Sequence, residues 1–177
     1  YSLSANQKRL WILDMDSLKV VYHGLVAHGR HSGEEYAKRF SNVPGSNMSS
    51  MGFFLTGSTY YGKHGLSLYI DGIEKGINDK ARDRSIVIHS ADYVSDDFSR
   101  RYGRLGRSQG CPAVSSERFE EIIHTISQNS CLYINGTSSD YPNKSKIFKG
   151  GSAYIRNPSD LSLQSPVPGV IDPVSKE

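Results

Sequence analysis

Three apolar runs, "MGFFLTG" (Met51–Gly57), "GLSLYIDG" (Gly65–Gly72) and "RSIVIHS" (Arg84–Ser90), follow one another inside forty residues. Each is short, carries branched or aromatic side chains, and is bounded by glycine or charge, which is the pattern of a strand. In the second run Leu66, Leu68 and Ile70 take alternate positions, as one half-buried sheet face requires. The third run ends on His89, followed by the small pair Ser90-Ala91.

Working outward, "RLWILD" (Arg9–Asp14) and "LKVVYHGLVAHG" (Leu18–Gly29) flank a polar turn at Asp14–Ser17 and predict a hairpin. "CLYIN" (Cys131–Asn135) predicts a last strand, with Cys131 as a buried core thiol. "NVPGSNMSS" (Asn42–Ser50) is a loop by its Pro, Gly and Asn content. "SGEEYAKRF" (Ser32–Phe40) predicts a short helix capped by Ser32. A second helix is expected in "SSERFEEIIHTIS", where Phe119, Ile122, Ile123 and Ile126 share one face and Ser116 is the expected N-cap. The pattern is mainly β with one or two short helices. It suggests one domain over residues 1–158, then a Pro-rich, loosely packed tail over 159–177.

The chain has 177 residues and a net charge of +3, too small to argue for nucleic acid. No apolar run approaches the roughly 20 residues that span a bilayer. The chain opens at Tyr1, so its compartment is not readable from the N-terminus. The two cysteines, Cys111 and Cys131, are expected to be free thiols.

Cys111 lies in "GRLGRSQGCPAV" (Gly103–Val114), a polar, basic and glycine-rich approach unlike that of a core thiol. Gly110 removes a side chain next to the sulfur and opens the backbone N–H groups of the turn to a substrate carbonyl, as an oxyanion hole needs. Pro112 stiffens the chain just beyond. No second Cys or His lies at the short spacing of zinc ligands, so no metal and no cofactor are expected. A cysteine nucleophile needs an imidazole to hold the thiolate. Of the six histidines, His89 is the candidate, because a strand end is a rigid place from which to present a side chain to a loop.

His89-Ser90 followed by Ser108-Gln109-Gly110-Cys111 resembles the murein L,D-transpeptidase catalytic domain, in its YkuD-like branch and the subgroup with Pro after Gly-Cys. The resemblance runs from about Arg9 to Asn135. It implies packed β-sheets (a sandwich) with a short helix or two. It also implies Cys111 as nucleophile, His89 as base, the Ser90 carbonyl holding the imidazole, and N–H groups around Gly110 and Cys111 as the oxyanion hole. The implied substrate is a peptidoglycan stem peptide, cut after diaminopimelate with release of D-Ala and passed as a thioester to an amine acceptor. An exported, periplasmic or cell-envelope location and carbapenem sensitivity follow from the same resemblance. Gln109 and Ser90-Ala91 depart from the commoner residues of the family.

The mixed-charge segment between Lys80 and Arg107 reads as a solvated loop. Arg107, with Arg104, is the expected grip on a stem carboxylate, with Ser108 beside the nucleophile. Tyr61 and His64, in "TYYGKHG" (Thr59–Gly65), are expected to add to the cleft. Two other classes stay open: an L,D-carboxypeptidase or other cysteine hydrolase, and a wall-binding module without turnover. A papain-like order is disfavoured, since His89 precedes Cys111.

Overall fold

The β-rich sequence folds as two sheets with four short helices among the described residues. The structure, a computed structural model, describes residues 1–63 and 65–152. His64 and the 159–177 stretch lie outside the described residues.

Leu10–Asp14 (β1) turns at Asp14, whose carboxylate accepts from the N–H of Asp16 (3.0 Å) and the hydroxyl of Ser17 (2.6 Å), and returns as Lys19–Gly24 (β2). The pair forms the antiparallel hairpin that two β-rich runs about a polar turn predicted. Val26–Ala27 (β3), Gly52–Gly62 (β4), Gly65–Gly72 (β5) and Val87–Ser90 (β6) follow. Then come the helix Asp96–Tyr102 (α1), Ala113–Val114 (β7), Phe119–Ile126 (α2) and Cys131–Ile134 (β8). Tyr141–Lys144 (α3) and Lys146–Ser152 (α4) end the described chain. The large sheet has the order β3-β7-β6-β5-β4-β8, antiparallel throughout except for β6 beside β7.

Alternation sorts the side chains of this sheet to two faces. Phe54, Leu68, Ile70, Ile88 and Val114 form the main core, which α2 covers with Phe119 and Ile123. On the other face Ala27 and Ala113 join Leu25, Val94 and Leu105 in a smaller cluster. His89 pairs with Ser67 on one side and Ala113 on the other, so it belongs to this second face.

Four expectations are corrected. Ser32–Phe40 is not helical. Its polar groups are claimed by distant partners: the Glu34 carboxylate by Arg104 and Arg107, and the Glu35 carbonyl by the N–H of Ala5. Tertiary bonding there outweighs a weak local propensity. Ser116 does not cap α2. Its hydroxyl goes to Asp92 at 3.2 Å, and Arg118 takes the cap position in a left-handed conformation without a side-chain cap bond. Cys131 is exposed. It starts a four-residue edge strand paired only with β4, and alternation gives the core to Leu132 and Ile134 at other positions. Finally, the mixed-charge segment after Ser95 is a helix, α1, with the Ser95 hydroxyl accepting from the Phe98 N–H at 3.2 Å.

Candidate active site

The parallel contact between β6 and β7 assembles the site. His89 and Ala113 are Cα partners, and the His89 N–H donates to the Pro112 carbonyl at 3.4 Å. Cys111 thus sits two residues upstream of the strand position beside His89. His89 is buried, and its Nδ1 lies 2.9 Å from the Ser90 carbonyl oxygen. A carbonyl only accepts, so Nδ1 carries a proton, and the other ring nitrogen is Nε2.

The turn before Cys111 is held from both sides. Ser108 Oγ accepts from the Gly110 N–H at 3.0 Å and donates to the Cys111 carbonyl at 2.6 Å. Ser49, fully buried, accepts from the Gly29 N–H at 3.0 Å and donates to the Gly110 carbonyl at 3.1 Å. Gly110 has φ +130°, and a Cβ there would stand 2.9 Å from the Met48 carbonyl oxygen. Glycine is required at this position on two counts, backbone conformation and space.

The Cys111 thiol is partly buried and donates to the Ser85 carbonyl across 3.7 Å. Burial pushes its pKa up, while the Val87 N–H and the positive charge of Arg84 act against that rise. The Arg84 guanidinium is anchored by the carbonyls of Ser41 (2.5 Å) and Met48 (2.7 Å), and also by the hydroxyl of Ser50 (2.5 Å). All three belong to the loop that carries Ser49 against Gly110. Sequence reading passed over Arg84 and Ser49, since nothing local marks a side chain whose partners lie on a distant loop.

A cavity of about 350 Å³ opens beside the imidazole, lined by His89, Ser90, Ala91, Asp92, Tyr93 and Ser116. Tyr93 connects it to the Cys111 turn. Its hydroxyl is pushed up to about 12, first by burial and then by the Cys111 sulfur.

The remaining candidates are placed as follows. Arg107 donates to the carbonyls of Arg30 and Gly33, each at 3.0 Å, and pairs with Glu34 at 2.7 Å. Arg104 pairs with the same carboxylate at 3.0 Å. The Glu34 side chain is 72% exposed, and it engages both of the guanidinium groups that were expected to grip a stem carboxylate. Tyr61 is 80% exposed and pairs with Leu66, on the face opposite His89. Tyr60, paired with Ser67, is the tyrosine on the His89 face. Among the described residues no group of three or more His, Cys, Asp or Glu side chains is gathered to hold a metal ion. No described helix is long and apolar enough to cross a membrane.

A family model for the L,D-transpeptidase catalytic domain matches residues 1–135. The chain belongs to that family. No curated protein and no solved structure matches it. As a member of the L,D-transpeptidase family the chain is of an enzyme type whose substrate is peptidoglycan. The mainly β architecture is that of the family, and the matched span contains every element from β1 to β8.

Proposed function

We propose that the protein is a peptidoglycan L,D-transpeptidase in which Cys111 is the nucleophile and His89 its base. The observation that carries this reading is the pairing of β6 with β7. In a chain of this family, it ties the strand presenting an imidazole to the residues that follow the only cysteine set in a glycine turn. The Ser90 carbonyl holds the Nδ1–H and so orients the ring, and Nε2 is the nitrogen assigned to proton transfer.

The Cys111 sulfur attacks the carbonyl carbon of the diaminopimelate–D-Ala bond of a tetrapeptide stem. His89 takes the thiol proton as the C–S bond forms and gives it to the departing D-Ala nitrogen as the C–N bond breaks. An acceptor amine then attacks the thioester, giving a proton to His89 as the C–N bond forms and the C–S bond breaks. The Gly110 N–H is engaged by Ser108, so the Cys111 N–H, which lies against its own sulfur, is the oxyanion donor in this reading. Ser108, Arg104 and Arg107 act on geometry, holding the turn and the Glu34 loop together. The bonds from Tyr141 and Ser145 to Glu74 support one domain that continues past the matched residues. The location that suits the substrate is the cell envelope or periplasm.

Intact-mass measurement after exposure to a carbapenem and to a tetrapeptide stem tests the assignment. It is best done with Cys131→Ser, because that exposed thiol is itself open to alkylation. One adduct is expected, absent from Cys111→Ala. A protein that forms no adduct is a wall-binding module and not an enzyme. Muropeptide analysis with and without an amine acceptor separates transfer from hydrolysis.

A further inference from the structure

The cavity beside His89 has a chemical character that the acylation step does not use. Its lining holds one carboxylate, Asp92, with the hydroxyls of Ser90, Tyr93 and Ser116. Asp92 sits in a turn closed by the Val94 N–H on the Ala91 carbonyl at 3.0 Å, and the Ala91 N–H is tied to Val114 at 3.0 Å. The carboxylate is therefore carried on the two strands that meet at the site. Its side-chain partner is the Ser116 hydroxyl at 3.2 Å, and among the described residues no Lys or Arg forms an ion pair with it.

We infer that this cavity is the acceptor subsite and that Asp92 holds the acceptor's ammonium group beside His89. The inference rests on the transpeptidase reading above. An alkyl amine titrates near pH 10 and arrives as a cation at neutral pH. To attack a thioester it must shed one proton and then pass a second to a base within hydrogen-bond reach. A carboxylate at the imidazole's own cavity concentrates the cation where that base is. The first proton goes to solvent, balancing the one the departed D-Ala amine takes up. The second goes to His89 as the amide C–N bond forms and the C–S bond breaks. Water carries no charge and gains nothing from Asp92. The carboxylate thus favours transfer over hydrolysis, and it selects cationic amines over neutral nucleophiles. The diaminopimelate amine of the donor stem has no need of the base, which is why the subsite is assigned to the acceptor.

The test compares the parent with Asp92→Asn, loading each with a tetrapeptide stem and dividing the acyl-enzyme between water and an added nucleophile. The partition ratio is measured within one acyl-enzyme, so it does not depend on how much protein is folded or how fast it acylates. The probes are Nα-acetyl-lysine amide, which is cationic, and hydroxylamine, which is neutral at pH 7. For an exposed ion pair the ratio of amide product to hydrolysis with the lysine probe should fall about fivefold in Asp92→Asn. The ratio with hydroxylamine should hold, and the difference should shrink in 1 M salt. Equal loss with both nucleophiles, or an unaltered lysine ratio accompanied by weaker stem binding during acylation, overturns the inference. Absence of any acyl-enzyme in the parent instead removes the transpeptidase reading, so the two failures are distinct.

Discussion

The main-chain N–H of His89 donates to the carbonyl oxygen of Pro112 at 3.4 Å, and this bond ties the residue after Cys111 to the strand that carries the imidazole. Because β6 and β7 run parallel, the two must arrive from separate parts of the chain, with α1 and the glycine-rich stretch between them. Relative placement of imidazole and thiol therefore depends on the sheet and on the loop that braces the Gly110 turn. Four measurements probe that dependence and the network around it.

Arg84 should tune the thiol. Its charge favours the thiolate and opposes the upward push of burial. Arg84→Gln should therefore raise the pH at which Cys111 becomes alkylated, and Arg84→Lys should restore part of the lost shift while loosening the loop. The pH profile of iodoacetamide modification in the Cys131→Ser background reads this directly. Identical profiles for all three proteins would show that Arg84 acts only as a brace.

Gly110→Ala should damage both stability and reactivity. The substitution places a methyl group 2.9 Å from a backbone oxygen at a φ of +130°. A loss of about 1–3 kcal/mol in urea unfolding is expected, together with slower acylation of Cys111. A variant with parent stability would mean that the Met48 loop is free to move aside.

Glu74 should fasten the last helices to the sheet. It is buried, and its carboxylate accepts from the Phe53 N–H (2.7 Å) and the hydroxyls of Tyr141 (2.9 Å) and Ser145. Tyr141→Phe removes one donor and should lower stability by about 1 kcal/mol. Glu74→Ala strands three donors and should lower it by about 2–4 kcal/mol. Hydrogen exchange over residues 141–149 should rise in both variants, and an unchanged exchange pattern would contradict the fastening role.

His28 should make stability fall in mild acid. Its Nε2–H donates to the Gly33 carbonyl (3.3 Å), and its Nδ1 accepts from Arg9 (2.8 Å). Burial, then the Arg9 charge, lowers its pKa from 6.5 to about 4. Between those values the unfolded chain holds the extra proton and the folded chain does not. Its contribution is thus complete above about pH 6.5 and declines as the pH drops, by up to about 3 kcal/mol near pH 4. Urea midpoints measured across this range should fall less steeply for His28→Gln than for the parent, and parallel curves would count against the assignment.

Much was legible locally. The alternation of Leu66, Leu68 and Ile70 and the spacing of Phe119, Ile122 and Ile123 depend on backbone periodicity, and both appear in the structure. Ser95-Asp96-Asp97 with Gly103, the full punctuation of a helix, was equally present in α1. It was obscured by reading the arginines as a charged loop. Cys131 misled because an apolar run says that one face is buried without saying which residues occupy it. At an edge strand of four residues that choice rests on register with β4.

The order of residues by itself determined the strands, the amphipathic helix, the strand-end position of His89 and the glycine-flanked turn of Cys111, because periodicity and turn chemistry are local properties. Only the tertiary structure decided that Arg84 and Ser49 brace the Cys111 turn, that Tyr60 and not Tyr61 shares the face of His89, and that Asp92 opens onto the imidazole's cavity. Those facts depend on which backbone oxygens and sheet faces meet across dozens of residues, and close approach in space has no signature in a linear chain.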